Sequence, residues 1–577
     1  EVFYKNDVLK FSGVNTKGAW PVGNIELTGP YDTHMLTLYG EPLWFTRVLH
    51  HRDGSVSLVM STIDPYFRMK VNFIFRLAPG LAAMEVTVFC YNRHDQRKAC
   101  MFWTNAAVPA TEDTRFVYPM TRTIGHTTAE VADWPLYNGV DYSWLRNNEH
   151  MLGVFGIDIY DNFLGAYDYR LDYGTFRFAD RRVVQGMKTW TWGMGRRAGS
   201  ITRGYTDKAG PYIEIQSGRH VWDGHYEWLD PHRVEGWSEW WFPVSGIGGF
   251  TTTSLDAALN LEVIPGRSGK KSMVKLGLSP NRMIPEAVIT VSSSAGELLK
   301  ATTDLRPGKP FNREITGLEA DSSGLARMRV VVTDSLGRVV LDYRRPDESP
   351  GRKEYSSFTR ALEKPERTPG EMSVEELVIE AETRIKEMHT RAGLDLLGRA
   401  LSRDPAYSRA HLALGIMHYE EGRPDSAMAH LTQALDRDPY AEDAYYYQAL
   451  CLMETGDTLK AERRLYFIPP GSVLYNAREY ILGRLAYHRG EFHTAVSHLD
   501  RAVRSNGQNL SALSLLATCF RIQGGSKDKA LALIEEALEI DPTDRWAVAE
   551  RYFLRGTDKD REALLSFLGG QSQEALE

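Results

Sequence analysis

The chain has no long hydrophobic run. No stretch of about eighteen consecutive apolar residues occurs in its 577 residues, so no α-helical membrane span is expected and no membrane partner. It also lacks a basic block. Net charge is −7 and Lys and Arg are spread thinly, without the concentrated positive field that nucleic-acid binding needs. Cysteine is scarce: Cys90, Cys100, Cys451 and Cys519 lie far apart with no C-x-x-C pair, which excludes a zinc ribbon and a dithiol motif. Cys90 falls on the apolar face of an alternating run and reads as a buried free thiol. His220, His225 and His232 are not at metal-ligand spacing, so neither metal nor cofactor is expected. A secretory leader pattern is missing as well. Scattered cysteines without a leader make the cytoplasm the expected compartment. Periplasm or secretion is the alternative, because Val2-Phe-Tyr-Lys5 reads like the inside of a domain and residue 1 like a truncation or processing point.

Tryptophan is nearly absent from the second half. Of 13, all but Trp546 lie at or before Trp241, so the two halves have different cores. The overall composition, 43% hydrophobic and 25% charged, is that of a globular protein long enough for three or four domains at roughly 150 residues each.

Residues 1–263 read as one large β domain. Met69, Val71, Phe73, Phe75 and Leu77 alternate with Arg68, Lys70, Asn72, Ile74 and Arg76; Met84, Val86, Val88 and Cys90 alternate with Glu85, Thr87, Phe89 and Tyr91. A period of two places one set on a core and the other outward. Pro79-Gly80 turns between the two runs. Many such short runs without a long helical period predict an antiparallel sandwich. Residues 264–345 read as a small immunoglobulin-like β unit, with runs at Val288–Val291, Met328–Val332 and Val339–Leu341 and a hairpin turn at Ser335-Leu-Gly337. Residues 346–372 have the Pro-rich, charged composition of a linker.

From 373 to 577 the period changes. Gly415, Ala449, Gly483 and Ala517 are 34 apart; so are Ala427, Ala461 and Ala495, with Ala530 one residue late, and Leu397, Leu431, Leu465 and Leu499. This is the tetratricopeptide (TPR) period, an α-solenoid of about five repeats with small residues where paired helices cross, ending in a capping helix. Such an array binds a protein partner or self-associates through its groove. Tyr445, Tyr446 and Tyr447 lie in a first helix, where they either pack or meet a partner.

One stretch carries chemistry. Gly210-Pro-Tyr-Ile-Glu214-Ile-Gln216 is followed by Trp237-Ser-Glu239-Trp-Trp241-Phe-Pro, two carboxylates among indoles. The first segment resembles the late strand of galactose-mutarotase-like proteins, and Leu229-Asp-Pro231 through Trp241 resembles the closing strand of that β-supersandwich. The whole arrangement resembles a bacterial family joining such a domain to TPR repeats and carrying phrases like Phe102-Trp-Thr-Asn-Ala-Ala-Val108, Phe178-Ala-Asp180 and Trp190-Thr-Trp-Gly193. The resemblance implies a saccharide ligand and Glu214 as a base. The acid histidine of mutarotases is missing from Phe102–Val108, which carries Thr104-Asn105; His34 is a substitute from an earlier loop. This puts simple aldose epimerisation in doubt, because ring opening needs an acid as well as a base. A glycoside hydrolase needs two carboxylates flanking one bond, and Glu214 with Glu239, or either with Asp180, are the candidate pairs. Glu239, among indoles, suits a raised pKa. Glu26, Trp103, Asn105, Arg177, Trp192, Gln216 and Trp241 are the candidate substrate contacts: hydrogen-bonding groups for hydroxyls and indole faces for the apolar side of a sugar. The alternatives are a glycan-binding module without catalysis and a pure interaction scaffold.

Overall fold

In a computed structural model, the described residues are 10–15, 18–22, 25–28, 45–63, 67–126, 130–199, 210–222, 225–266, 271–318, 327–345 and 367–568. The alternating runs fold into two antiparallel sheets. The larger has eight strands in the order Thr114–Val117, Phe163–Asp168, Tyr173–Phe178, Val234–Ser245, Met84–Tyr91, Lys70–Leu77, Val56–Ile63 and Phe45–His50. The smaller has seven: Val131–Asp133, Met120–Gly125, Leu152–Ile159, Gly186–Thr191, Tyr212–Gly218, Trp103–Pro109 and Ile25–Thr28. Val86, Ala106, Val108, Leu164, Met187, Ile213, Ile215 and Trp241 fill the space between them. Cys90 is in this interior and, like Cys100, Cys451 and Cys519, is a buried free thiol.

The second β unit begins earlier than the composition suggests. Thr252–Thr253 and Ala257–Ile264 belong to its first four-stranded sheet with Ser272–Pro280 and Phe311–Leu318. Its second sheet is ordered Gly296–Leu305, Ile284–Ser293, Arg329–Thr333 and Val339–Arg344. Ala257 and Leu259 pack with Ile289, Val291 and Val330. Continuous strand composition hides this boundary. The Gly337 turn has φ +74°, which glycine tolerates.

Helical pairs then run from Val374 to Leu568. The small residues at repeat positions permit close crossing. A Cβ on Gly415 would lie 2.7 Å from the Leu431 side chain, and one on Gly483 would lie 2.7 Å from Leu499. No helix among the described residues is long and apolar enough to cross a membrane.

The array does not stand apart from the sandwich. Its first helices, the ones expected to line a groove, face the eight-stranded sheet and its edge loops. Lys386 meets Glu227 at 3.3 Å, Arg97 meets Asp443 at 3.1 Å, and Arg484 meets Asp95 at 2.5 Å. The Tyr446 hydroxyl donates to the Asp95 carbonyl at 2.6 Å. Asn506 donates to the His232 carbonyl at 3.1 Å, and the Tyr91 hydroxyl meets Ser511 Oγ at 2.9 Å. Farther on, Lys70 Nζ lies 2.8 Å from Asp541 and donates to the Thr543 carbonyl, while Asn72 donates to Asp541 at 2.7 Å. The supposedly outward residues Lys70, Asn72, Phe89 and Tyr91 are therefore buried: Phe89 and Tyr91 share a core with Leu510, Leu513 and Ala517. Of the three tyrosines, Tyr446 and Tyr447 are buried, and Tyr445 stacks on Phe467.

Candidate functional site

Strand parity decides what the outer face of the seven-stranded sheet carries. On Tyr212–Gly218, Ile213 and Ile215 point between the sheets, so Tyr212, Glu214 and Gln216 occupy the opposite face. Register extends that face. Glu214 pairs with Trp190 and Ala107, Gln216 with Lys188 and Asn105, and Gly218 with Trp103. Phe155 pairs with Lys188 on the next strand.

Glu214 is fixed by neutral donors. Asn105 Nδ2 at 2.9 Å and Gln216 Nε2 at 2.8 Å donate to Oε2, and the Tyr212 hydroxyl donates to Oε1 at 3.3 Å. The same hydroxyl accepts from Trp192 Nε1 at 2.9 Å. Glu214 is 4% exposed, and a carboxylate so buried requires such donors. Lys188 Nζ lies 4.8 Å from the Phe155 ring centroid and 5.4 Å from that of Trp190, within cation–π range.

Glycines let the indoles lie on the sheet. A Cβ on Gly218 would come within 2.3 Å of the Trp103 ring, and one on Gly153 within 2.4 Å of the Trp190 ring. Any side chain there would lift the indole. The Nε1 groups of Trp103 and Trp190 are buried without a hydrogen-bond partner among the described residues. Trp190 meets Trp192 edge-on at 5.3 Å, and the exposed His126 ring stands 5.2 Å from Trp190.

Of the expected site residues, Glu214, Gln216, Asn105, Trp103 and Trp192 come together here. Glu26 pairs in register with Asn105. His34 lies outside the described residues. The carboxylate pairs do not assemble. Ser217 points inward, and its hydroxyl donates to Glu239 Oε2 at 2.9 Å, so Glu239 and Glu214 lie on opposite faces of one sheet. Glu239 is sealed between the sheets with Arg177, whose Nε is 3.6 Å away and whose Nη2 donates to Ser217 at 2.9 Å. Burial raises the Glu239 carboxyl, opposed by the Arg177 charge; burial also lowers Arg177. Trp241, fully buried, packs in the same interior. Neither Arg177 nor Trp241 faces the Glu214 surface. Asp180 sits in an exposed turn, where hydrogen bonds from Arg182 hold its carboxyl down at about 2. Lys188, Tyr212, Trp190 and His126 are not among the expected site residues and are also found here. The alternation of Lys188, Trp190 and Trp192 was a usable signal for the first and third; His126 arrives from another strand and had none. Among the described residues no group of three or more His, Cys, Asp or Glu is placed to hold a metal ion.

Residues 1–244 match the domain of unknown function DUF5107; residues 389–442, 422–472 and 480–545 match the tetratricopeptide repeat. The chain is a DUF5107 domain joined to TPR repeats. Between the DUF5107 domain and the array, residues 253–343 match the second domain of YphG-like proteins. A TPR-domain-containing protein from Parabacteroides distasonis is similar in structure over 94% of this chain and 82% of its own, at 17% identity and a TM-score of 0.40. A candidate aldose 1-epimerase from Klebsiella pneumoniae aligns with 35% of this chain and 53% of its own, at 11% identity and a TM-score of 0.26. YrrB, a TPR protein with an unusual peptide-binding site, aligns with 30% of this chain and 89% of its own, at 20% identity and a TM-score of 0.26.

Proposed function

We propose that the Glu214 face of the DUF5107 domain recognises a saccharide, and that the TPR array, a protein-interaction architecture, holds this domain in a larger assembly. One observation carries the reading. A fixed carboxylate, two amides and an ammonium share a sheet face with indoles bedded on glycine, and two indole N–H groups there have no hydrogen-bond partner among the described residues. Carboxylate and amides suit hydroxyl groups, and indole faces suit the C–H side of a sugar ring. Two-carboxylate hydrolysis is not part of this proposal, because Glu239 and Asp180 are elsewhere.

A second reading has one observation behind it. The His126 ring stands 5.2 Å from that of Trp190, the register partner of Glu214, and is the histidine that an anomeric reaction could use as an acid with Glu214 as base. A panel of monosaccharides and oligosaccharides, tested for binding and for anomer exchange with wild type, Glu214→Gln and His126→Gln, tests both readings. Binding without exchange supports recognition alone. Exchange lost in both variants supports catalysis. Neither binding nor exchange on any sugar leaves the scaffold reading.

A further inference from the structure

The docking of array on sandwich is not continuous. Between the Lys386–Glu227 contact and the Arg97–Asp443 contact the two parts separate around a cavity of about 770 Å³. That volume falls within the range of ligand pockets, roughly 300–1,000 Å³. Its apolar wall is the helix Ser408–Glu420, through Leu412, Ala413, Ile416 and Met417. Helices of the array supply most of the remaining lining, and two sandwich residues complete it. Arg97 and Trp228 come from adjacent segments of the sandwich, since Trp228 pairs with Ala99 in a short ribbon. Trp228 is 41% exposed and Tyr440, on the rim, 87% exposed.

The charge around this cavity is unbalanced. Arg409 is consumed by a bidentate pair with Glu382, and Arg97 by Asp443 and Asp230. Asp438 and Glu442 have no cationic partner among the described residues, and Glu420 has only Lys98, at 3.9 Å. Desolvation raises the carboxyls of Glu420 and Asp443, the opposite of what a well-compensated carboxylate shows. A cation entering here would find carboxylates short of countercharge beside an apolar wall.

We propose that this composite cavity binds a peptide segment of a partner protein that carries a Lys or Arg next to a large apolar residue. The apolar residue lies against Leu412, Ile416 and Trp228, and the cation reaches Glu442 and Asp438. Because Arg97 and Trp228 belong to the sandwich, the complete site exists only in the docked chain. The proposal is independent of the saccharide reading: it uses no residue of the Glu214 face.

The test is fluorescence anisotropy of the full chain against labelled hexapeptides in which one Lys or Arg and one Leu, Phe or Trp are placed at every spacing, with a matched set in which Glu replaces the base. The expected result is binding by basic members and not by acidic ones, weakened at high salt. Trp228→Ala, Ile416→Ala and the double variant Asp438→Asn/Glu442→Gln should each weaken it by about tenfold, a loss of about 1.4 kcal/mol. Asp438 is exposed and Glu442 half-buried, and unchanged far-UV dichroism and thermal midpoint in that double variant separate a lost contact from a lost fold. Absence of binding by any basic peptide up to millimolar concentration overturns the proposal. So does equal binding of the two sets, or binding indifferent to Trp228→Ala.

Discussion

Asp95, on a loop of the sandwich, is 2.5 Å from Arg484, on the first helix of a TPR pair, and the same carboxylate is 2.8 Å from His232. Burial alone would raise this carboxyl. Arg484 and His232 outweigh it and hold the group well below the usual carboxylate range. The array is thus fastened to its own sandwich by charge, at a helix position where a free solenoid would meet a partner.

Removing that fastening should loosen the array without unfolding the sandwich. Arg484→Met leaves Asp95 with His232 alone, and a loss of about 2 kcal/mol is expected. Equilibrium denaturation read separately by tryptophan fluorescence and far-UV dichroism checks it. All but one tryptophan are at or before Trp241, so fluorescence reports mainly the sandwich and dichroism the helices. The helical transition should move to lower denaturant while the fluorescence transition moves less.

The same contacts set a pH dependence. Asp541 is also held below the usual range: burial would raise it, but Lys70 and Thr543 more than offset this. A carboxyl with a lowered folded-state pKa contributes stability above its unfolded value, about 3.9, and loses it as pH falls through the folded value. Stability from Asp95 and Asp541 should therefore be intact at neutral pH and fall away below about pH 4. Asp541→Asn should be less stable at neutral pH by about 3 kcal/mol and show a shallower loss on acidification. A parallel loss in both proteins would contradict the assignment.

Glu239 acts within the sandwich core. Glu239→Gln leaves Arg177 charged and unpaired between the sheets, with an expected cost of about 3 kcal/mol. Pairing it with Arg177→Met should recover most of that, a coupling visible in a double-mutant cycle. If the saccharide reading holds, the double variant keeps sugar binding, because neither residue reaches the Glu214 face.

Gly153 and Gly218 bed the two indoles. Gly153→Val should displace Trp190, and Gly218→Val should displace Trp103. Each is expected to cost about 1–3 kcal/mol through overpacking. Saccharide affinity, measured by calorimetry, should fall in both.

Much of this was legible beforehand, and the exceptions have a common cause. The 34-residue period marked the helical pairs, because a helix crossing demands a small residue at a fixed place, as at Gly415 and Gly483. Alternation marked the sandwich, and the Glu214 segment was visible as a carboxylate with an amide two residues on. Alternation assigns residues to faces but does not say what covers each face. Lys70, Asn72, Phe89 and Tyr91 were read as outward; the array buries them. Glu239 is expected to face Glu214 or Asp180 across one bond; the inner side of the sheet claims it. A warning was present in Phe89 and Tyr91, two aromatics in succession on a face meant for water. Contacts such as Lys70 to Asp541 depend on how separate units dock, and no local pattern records that.

The central claim, that the Glu214 face takes a sugar, is tested most directly by calorimetric titration of a saccharide panel into wild type and into Trp190→Ala. The account predicts at least one saccharide that binds wild type and binds Trp190→Ala about tenfold or more weakly, for loss of roughly 1.4 kcal/mol of ring contact. Binding that is unchanged in Trp190→Ala, or no saccharide bound at all by the folded wild-type chain, would contradict it.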